Sequence, residues 1–192
     1  IRDSITNAQN GQIDLGRYSL SNMESVALYN ANRNERLQSA SEYASAATVY
    51  LQTRRPDSTA LTVEYGTGSF GLHKLKAYFS FRNILFVDAE YQRTDGGYPF
   101  RFQSASEDTV GKRRNSDISF YRLEAAGFYK GFTAHAYFYS SERGLPGPVV
   151  RRLSDQWDST DRQWDRNFFL QATYRHTWGS FCLLYTSDAA DD

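Results

Sequence analysis

The sequence predicts a mainly β protein: about six strands of an open, partial transmembrane antiparallel β-barrel, preceded by part of a small α/β unit. The first observation is a repeated alternation of apolar or aromatic side chains with polar or small ones, over 72–82, 84–92, 119–129, 132–140 and 167–177. A pleated strand sends successive side chains to opposite faces, so each segment has two different faces. Aromatic-rich strands of about 9–11 residues with this alternation are typical of outer-membrane barrels. The second observation is that the connections between these segments are alternately short and long.

Composition agrees with this fold class. Aromatic residues make up 16% of the 192 residues, and the mean hydropathy is −0.63. No run of about 18 apolar residues is present, so no transmembrane helix is predicted. The low hydropathy is compatible with a barrel, because its lumen-facing side chains are polar. The first residues, IRDSITNAQ, lack the basic and apolar regions of a signal peptide, so we expect a mature chain or one whose start is missing.

The C-terminal segment 182–192, CLLYTSDAADD, breaks both the composition and the strand period. It resembles the translation of a sequencing adaptor, so we predict an artefactual tail and exclude it from the fold. The single cysteine, Cys182, lies in this tail, and no disulfide, metal or nucleophile argument rests on it. Without the three tail aspartates, 19 of the 22 acidic residues remain against 22 basic ones, about +3, which is too small to indicate a nucleic-acid partner.

Residues 1–57 differ from the rest, being rich in Ser, Asn and Ala and lacking Phe. Ser21 and Glu24 have the spacing of a helix capping box. The remaining elements predicted there are a strand over 26–29, a helix or turn over 39–47, and a strand over 48–53. Pro56 cannot donate a ladder hydrogen bond, so the chain is expected to break at 54–57.

Residues 58–181 are predicted to form the barrel part as an antiparallel meander. The expected strands lie near 59–67, 71–82, 84–94, 117–129, 132–142 and 165–178. Asn83 and Lys130-Gly131 mark tight turns, whereas 93–118 and 141–166 are long and polar. Short periplasmic turns opposite long extracellular loops are characteristic of outer-membrane barrels.

Alternation assigns the two faces of these strands. The residues predicted to face lipid are Leu85, Val87, Tyr121, Leu123, Phe168 and Leu170. The residues predicted to face the lumen are Asp88, Glu90, Arg122, Glu124 and Arg175. Tyr91, Tyr129 and Tyr139 are expected in an interfacial aromatic girdle. The same alternation also fits a soluble β-sandwich with an apolar core and a charged surface, and that alternative stays open.

No motif for catalysis or for a cofactor is convincing. Gly66-Thr-Gly-Ser-Phe-Gly71 matches the dinucleotide fingerprint, but the segment after it suits a strand rather than the required helix. His73, His135 and His176 lie on separate predicted strands without metal-ligand spacing. We therefore predict no enzyme activity, no cofactor and no metal site.

The long loops are the expected place for ligand contacts, since loops on a rigid scaffold concentrate binding residues. Lys112, Arg113 and Arg114 form a basic cluster that is either a solvated loop or a contact for anionic lipopolysaccharide or ligand. The candidate substrate-contact residues are Tyr98, Arg101, Trp157 and Trp164.

Four segments together resemble TonB-dependent outer-membrane receptors. LSNMESVALYNAN (20–32) and ASAATVYLQTRRP (44–56) are similar to plug strands, and TDGGYPF (94–100) and ERGLPGPV (142–149) to the first part of the barrel. The resemblance implies that 1–57 is the C-terminal part of a plug domain and 58–181 the N-terminal part of a β-barrel. Ser45, Ala46 and Ala47 stand where the family often has glycines.

The resemblance also implies a function. Receptors of this family lie in the cell outer membrane and import a scarce solute, such as a siderophore, haem or cobalamin, with energy from TonB. The implied partners are a small-molecule or metal-chelate ligand, outer-membrane lipid, and the TonB complex through an N-terminal segment absent here; no nucleic acid is implied. The alternatives are a passive outer-membrane porin and a soluble β-sandwich binding module.

Overall fold

The computed structural model describes residues 18–19, 22–30, 47–104, 107–146, 160–179 and 181–191. The chain divides into two compact units, Ile1–Asp57 and Ser58–Asp192, and the division follows Pro56, where the sequence predicts a break. Within the described residues the protein is mainly β, and no helix there is long and apolar enough to cross a membrane.

The first unit contains one antiparallel pair, β1 (Met23–Asn30) and β2 (Ala47–Thr53). The Arg54 amide extends the pairing by donating to the Asn22 carbonyl at 2.7 Å. The predicted capping box at Ser21 and Glu24 is wrong, because Glu24 lies inside β1 and its carboxylate accepts from the Gln52 amide at 3.2 Å. The helix or turn predicted over 39–47 lies outside the described residues except for Ala47, which starts β2.

The second unit is built on one antiparallel sheet. Its strands are β3 (Ala60–Gly68), β4 (Leu72–Phe81), β5 (Leu85–Thr94), β8 (Ile118–Tyr129), β9 (Phe132–Gly144), β10 (Arg162–Trp178) and β11 (Phe181–Asp191). They are hydrogen-bonded in this order, so β3 and β11 are the two edges of an open sheet. The six predicted strands are confirmed, and each end lies within three residues of its predicted position.

Two elements were not predicted. A separate hairpin of β6 (Pro99–Ser104) and β7 (Glu107–Lys112) lies inside the long segment 93–118. The segment that the sequence analysis excluded from the fold is paired with β10 as β11, from Trp178 opposite Phe181 to Phe168 opposite Asp191. Ladder bonds join main-chain groups, so an extended segment of almost any composition can complete a free strand edge. The adaptor origin of 182–192 stays a prediction.

The alternation of connections is as predicted. The β4–β5 turn is closed by the Ile84 amide, which donates to the Phe81 carbonyl at 3.2 Å. Lys130 and Gly131 both have positive φ, 41° and 83°, as the two central residues of a type I′ hairpin turn require. The connections 95–117 and 145–161 are long and lie at the opposite end of the sheet.

The glycine-rich segment at 66–71 forms no phosphate cradle. Gly66 and Gly68 lie in β3, and Ser69–Gly71 is a single 3-10 turn with Phe70 at φ 60°. The chain then continues directly into strand β4. The helix N-terminus that a dinucleotide site needs is therefore replaced by a hairpin.

Candidate functional site

The two faces of the large sheet are arranged in a way that is unusual for a soluble protein. We call the face that carries Leu123 the outer face and the face that carries Asp88 the inner face. On the outer face, Leu123 is 45% exposed and Phe168 is 42% exposed. On the inner face, Asp88 is 0% exposed and Glu124 is 1% exposed. The inner face also buries the aromatic side chains of Phe86, Tyr137 and Phe169. Soluble domains leave most charges in water and cover large apolar faces, whereas this sheet buries charges among aromatic rings and exposes its less charged face.

The register confirms which residues share each face. The outer face carries Leu85, Val87, Tyr121, Leu123, Phe168 and Leu170, and the inner face carries Asp88, Glu90, Arg122 and Glu124. Arg175 alternates onto the inner face but is exposed near the end of β10. The girdle position predicted for Tyr139 is wrong: Tyr139 is buried on the inner face, 5.8 Å from the Phe120 ring. Whether the outer face meets lipid stays a prediction.

The outer face has an uncharged belt between two rows rich in aromatic residues. One row, near the long connections, includes Tyr65, Tyr91 and Tyr121; the other, at the short turns, includes Tyr129, Phe132, Tyr174 and Tyr185. Between the rows β4, β5, β8, β9 and β10 present only Ala77, Phe79, Leu85, Val87, Ala89, Leu123, Ala125, Gly127, Ala134, Ala136, Phe138, Phe168, Leu170 and Ala172. Tyr121 and Tyr129 are about 26 Å apart along β8 at ~3.3 Å per residue. In strands tilted by about 35–45° that length corresponds to a height of about 20 Å, slightly less than the apolar band of an outer-membrane barrel, about 25 Å tall.

The inner face carries a ladder of charges at the same depth. Glu64, Lys76, Glu90 and Arg122 are aligned across four neighbouring strands, so their signs alternate. Arg122 is ion-paired with Glu90, and the Lys74 ammonium lies 3.0 Å from the other Glu90 oxygen. We call this row the charge ladder. Buried charges are tolerated where opposite charges and hydrogen bonds compensate them, and the ladder supplies both.

Next to the charge ladder lies a second group of polar side chains. Asp88 and Glu124 are cross-strand neighbours, and the Lys76 ammonium lies 3.4 Å from the Asp88 carboxylate. The His135 Nε2 lies 2.9 Å from a Glu124 oxygen, and its ring stacks on Phe169 at 5.7 Å. Within the part of the chain that the structure describes, no group of three or more His, Cys, Asp or Glu side chains forms a metal site.

The long connections meet at one end of the sheet and are joined there by Asn115. Its side-chain amide donates to the Leu145 carbonyl at 3.1 Å and to the Asp161 carbonyl at 2.9 Å. Asp117 forms an ion pair of 2.5 Å with Arg162, at the start of β10. These bonds tie the ends of the connection 145–161 to the preceding connection, which gives this end of the sheet a defined base.

The connection 95–117 is also folded on itself. The Ser116 hydroxyl and the Tyr98 amide both donate to the Gly96 carbonyl at 2.8 Å. The Arg113 amide donates to the Tyr98 carbonyl at 2.9 Å, and its guanidinium donates to the Pro146 carbonyl at 3.3 Å. Of the basic cluster predicted at 112–114, Arg113 therefore helps to hold the two connections together.

The predicted contact residues do not form one group. Tyr98 is half exposed, with its ring edge-to-face with Phe70 at 6.3 Å. Arg101 lies in β6 and forms a bidentate ion pair with Asp108 of β7, which lowers the pKa of that carboxyl group. Trp164 is exposed on β10 beside Glu142. Trp157 lies outside the described residues.

Sequence reasoning missed Asn115, Asp117 and Arg162. Asn115 has φ 50°, a conformation that Asn adopts more readily than most residues. The run Asn115-Ser116-Asp117 directly before a strand was therefore an available signal for a structured turn. Arg162 gave no signal, because its partner lies 45 residues away in sequence.

The comparisons with known proteins add no family assignment. A scan against models of protein families found no match, and a search of curated proteins found no similar sequence.

Proposed function

We propose that this chain is part of an outer-membrane receptor of the TonB-dependent type, which imports a scarce solute and performs no covalent chemistry. One observation supports the membrane setting above all: the large sheet exposes the face whose middle has no charged residue on β4, β5, β8, β9 and β10, and buries the face on which charged and aromatic side chains are mixed. Lipid is the environment in which that arrangement is favourable, because apolar side chains meet acyl chains and charges line a polar lumen.

A soluble β-sandwich explains the sheet less well. In a sandwich the apolar faces of two sheets pack together at a distance of about 10 Å. In the second unit, the buried face mixes Asp88, Glu90, Arg122 and Glu124 with the aromatic side chains of Phe86, Tyr137 and Phe169, whereas the core of a sandwich is apolar. Exposed apolar patches of this extent on a soluble protein would promote aggregation.

A passive porin is the closer alternative, since it also has an apolar belt and a polar lumen. The argument for a receptor is the separate first unit, with its antiparallel pair β1–β2, together with the plug-like segments 20–32 and 44–56. A porin has no use for such a unit. In the proposed receptor the long connections capture the solute, and Phe70, Tyr98 and Trp164 are among the exposed aromatic side chains at that end.

The decisive experiment is to sequence the gene upstream of the codon for Ile1. A receptor of this type is expected to encode a signal peptide, a TonB box and the first half of a plug domain there. A signal peptide followed directly by the present first unit would favour another class of barrel. An upstream domain without a signal peptide would contradict the outer-membrane location.

A further inference from the structure

The short-turn end of the large sheet carries positive charge without acidic neighbours in its turns. The connections at this end are Arg82-Asn-Ile84, Lys130-Gly131 and Gly179-Ser180, and none of them contains Asp or Glu. Arg175 lies beside the second turn, because its amide donates to the Gly131 carbonyl at 2.9 Å. The Phe128 amide likewise donates to the Ile84 carbonyl at 2.7 Å, which places the first two turns side by side.

The cations at this end differ from those at the opposite end. Near the long connections Arg143 and Arg162 are ion-paired, with Asp165 at 3.9 Å and with Asp117 at 2.5 Å. Among the ion pairs between described residues, none involves Arg82, Lys130 or Arg175, and all three side chains are exposed. The positive charge at the short turns is therefore left to an external partner.

The positions of these cations relative to the aromatic residues indicate what that partner is. The Lys130 ammonium lies 5.4 Å from the centre of the Tyr129 ring, and the Arg82 guanidinium 5.5 Å from that of Phe81. Tyr129 and Phe81 are on the outer face, at the lower rim of the uncharged belt. Aromatic rings at a belt rim belong at the level of lipid headgroups, and basic side chains beside them extend to the same level.

We propose that the short-turn end binds the headgroups of anionic phospholipids through Arg82 and Lys130, whereas Arg175 alternates onto the inner face. This inference rests on the proposed membrane function and adds a lipid preference to it. An anionic membrane surface attracts each nearby Lys or Arg, so the interaction weakens when salt is added.

The test compares two vesicle types and two charge-matched variants. The 192-residue chain, purified in detergent, is diluted into vesicles of phosphatidylcholine or of phosphatidylcholine with phosphatidylglycerol, and the bound fraction is measured by flotation. The test variant is Arg82→Asn with Lys130→Asn; both positions have positive φ, which Asn tolerates, so the turns are retained. The control is Arg93→Gln with Arg166→Gln, which removes the same charge from the outer face near the long connections.

We expect the wild-type chain to bind anionic vesicles more tightly than neutral ones. The affinity of the test variant for anionic vesicles should fall about fivefold for each cation removed, about 25-fold in all. Its affinity for neutral vesicles should be unchanged. The control variant should keep most of the wild-type preference for anionic over neutral vesicles. Equal losses in both variants would overturn the inference, as would equal wild-type binding to the two vesicle types. Binding to neither vesicle type would also overturn the inference, whereas the membrane proposal is tested separately by the upstream gene sequence, so the two failures are distinguishable.

Discussion

At the scale of single residues, the face on which a side chain lies decides what its substitution costs. Leu170 is 43% exposed on the outer face, whereas its neighbour Gln171 points to the inner face. An arginine at Leu170 would place a charge within the uncharged belt. An arginine at Gln171 would enter the polar side at the same depth.

We therefore predict that Leu170→Arg destabilises the complete barrel in lipid by about 2–4 kcal/mol, as is typical for a midplane arginine. Gln171→Arg should cost much less. Urea titration of folding in lipid vesicles measures both. Similar losses for the two variants would show that the faces do not differ in environment.

The charge ladder supports a second prediction. From side-chain alternation alone, Arg122 would face a solvated lumen, and replacing it would reduce the stability of the barrel only slightly. The structure instead buries Arg122 against Glu90, so Arg122→Leu leaves a buried carboxylate with one partner fewer. Breaking a buried pair of this kind costs about 3–5 kcal/mol.

The exposed pair of Arg101 and Asp108 is the matched control, and Arg101→Leu should have little effect in the same urea titration. Adding Glu90→Gln to Arg122→Leu should recover part of the loss, and no recovery would argue against the pairing.

At the scale of elements, the sequence was a sufficient guide to the six long strands and to their antiparallel meander order, but not to the residue-by-residue register. The period of two is local and can be read directly along each strand. The pairing of β5 with β8 bridges the long connection 95–117, and no local pattern encodes that register. The hairpin β6–β7 was missed for a related reason: its strands have only six residues each and lie in a polar segment.

The turn at Gly131 gives an element-scale prediction. Gly131 has φ 83°, and a Cβ there would lie 2.3 Å from the Arg175 carbonyl oxygen. Gly179 also has positive φ, 56°, but a Cβ there would meet nothing within 4 Å. Gly179→Ala should therefore cost only the backbone strain, about 1–2 kcal/mol, and Gly131→Ala distinctly more. Denaturation midpoints in detergent compare the two, and a larger loss at Gly179 would contradict the observed packing of the β8–β9 turn on β10.

The hairpin β6–β7 should respond to acid through Asp108. The Arg101 guanidinium lowers the pKa of Asp108 below its usual value. The pair therefore stabilises the hairpin fully above the unfolded-state pKa of Asp, and this contribution is lost as pH falls through the lower folded-state pKa. Arg101→Gln should return the Asp108 pKa towards about 3.9, as measured by NMR titration of its carboxyl carbon. An unchanged titration in the variant would mean that the ion pair is absent in solution.

At the scale of the whole molecule, the second unit is a sheet that nothing closes among the described residues. Its edges, β3 and β11, present main-chain donors and acceptors that have no strand partner there. Side-chain alternation predicted the polarity of the two faces, but it says nothing about closure, which depends on the number of strands and on the stagger between them. The open sheet and its exposed apolar face together determine how the isolated chain should behave.

The last prediction follows from those two properties. In a bilayer each unpaired backbone group costs several kcal/mol, so an open sheet does not span the membrane as a stable monomer. In water, the exposed Leu123, Phe168 and Leu170 and the free strand edges favour association instead. We expect residues 1–181 expressed alone to aggregate in plain buffer and to become monodisperse only in detergent, as measured by analytical ultracentrifugation. Removal of 182–192 moves the free edge from β11 to β10, so this variant keeps two free edges and should aggregate as the 192-residue chain does. A soluble monomer with a cooperative melting transition in plain buffer would contradict the barrel and favour a soluble β-sandwich.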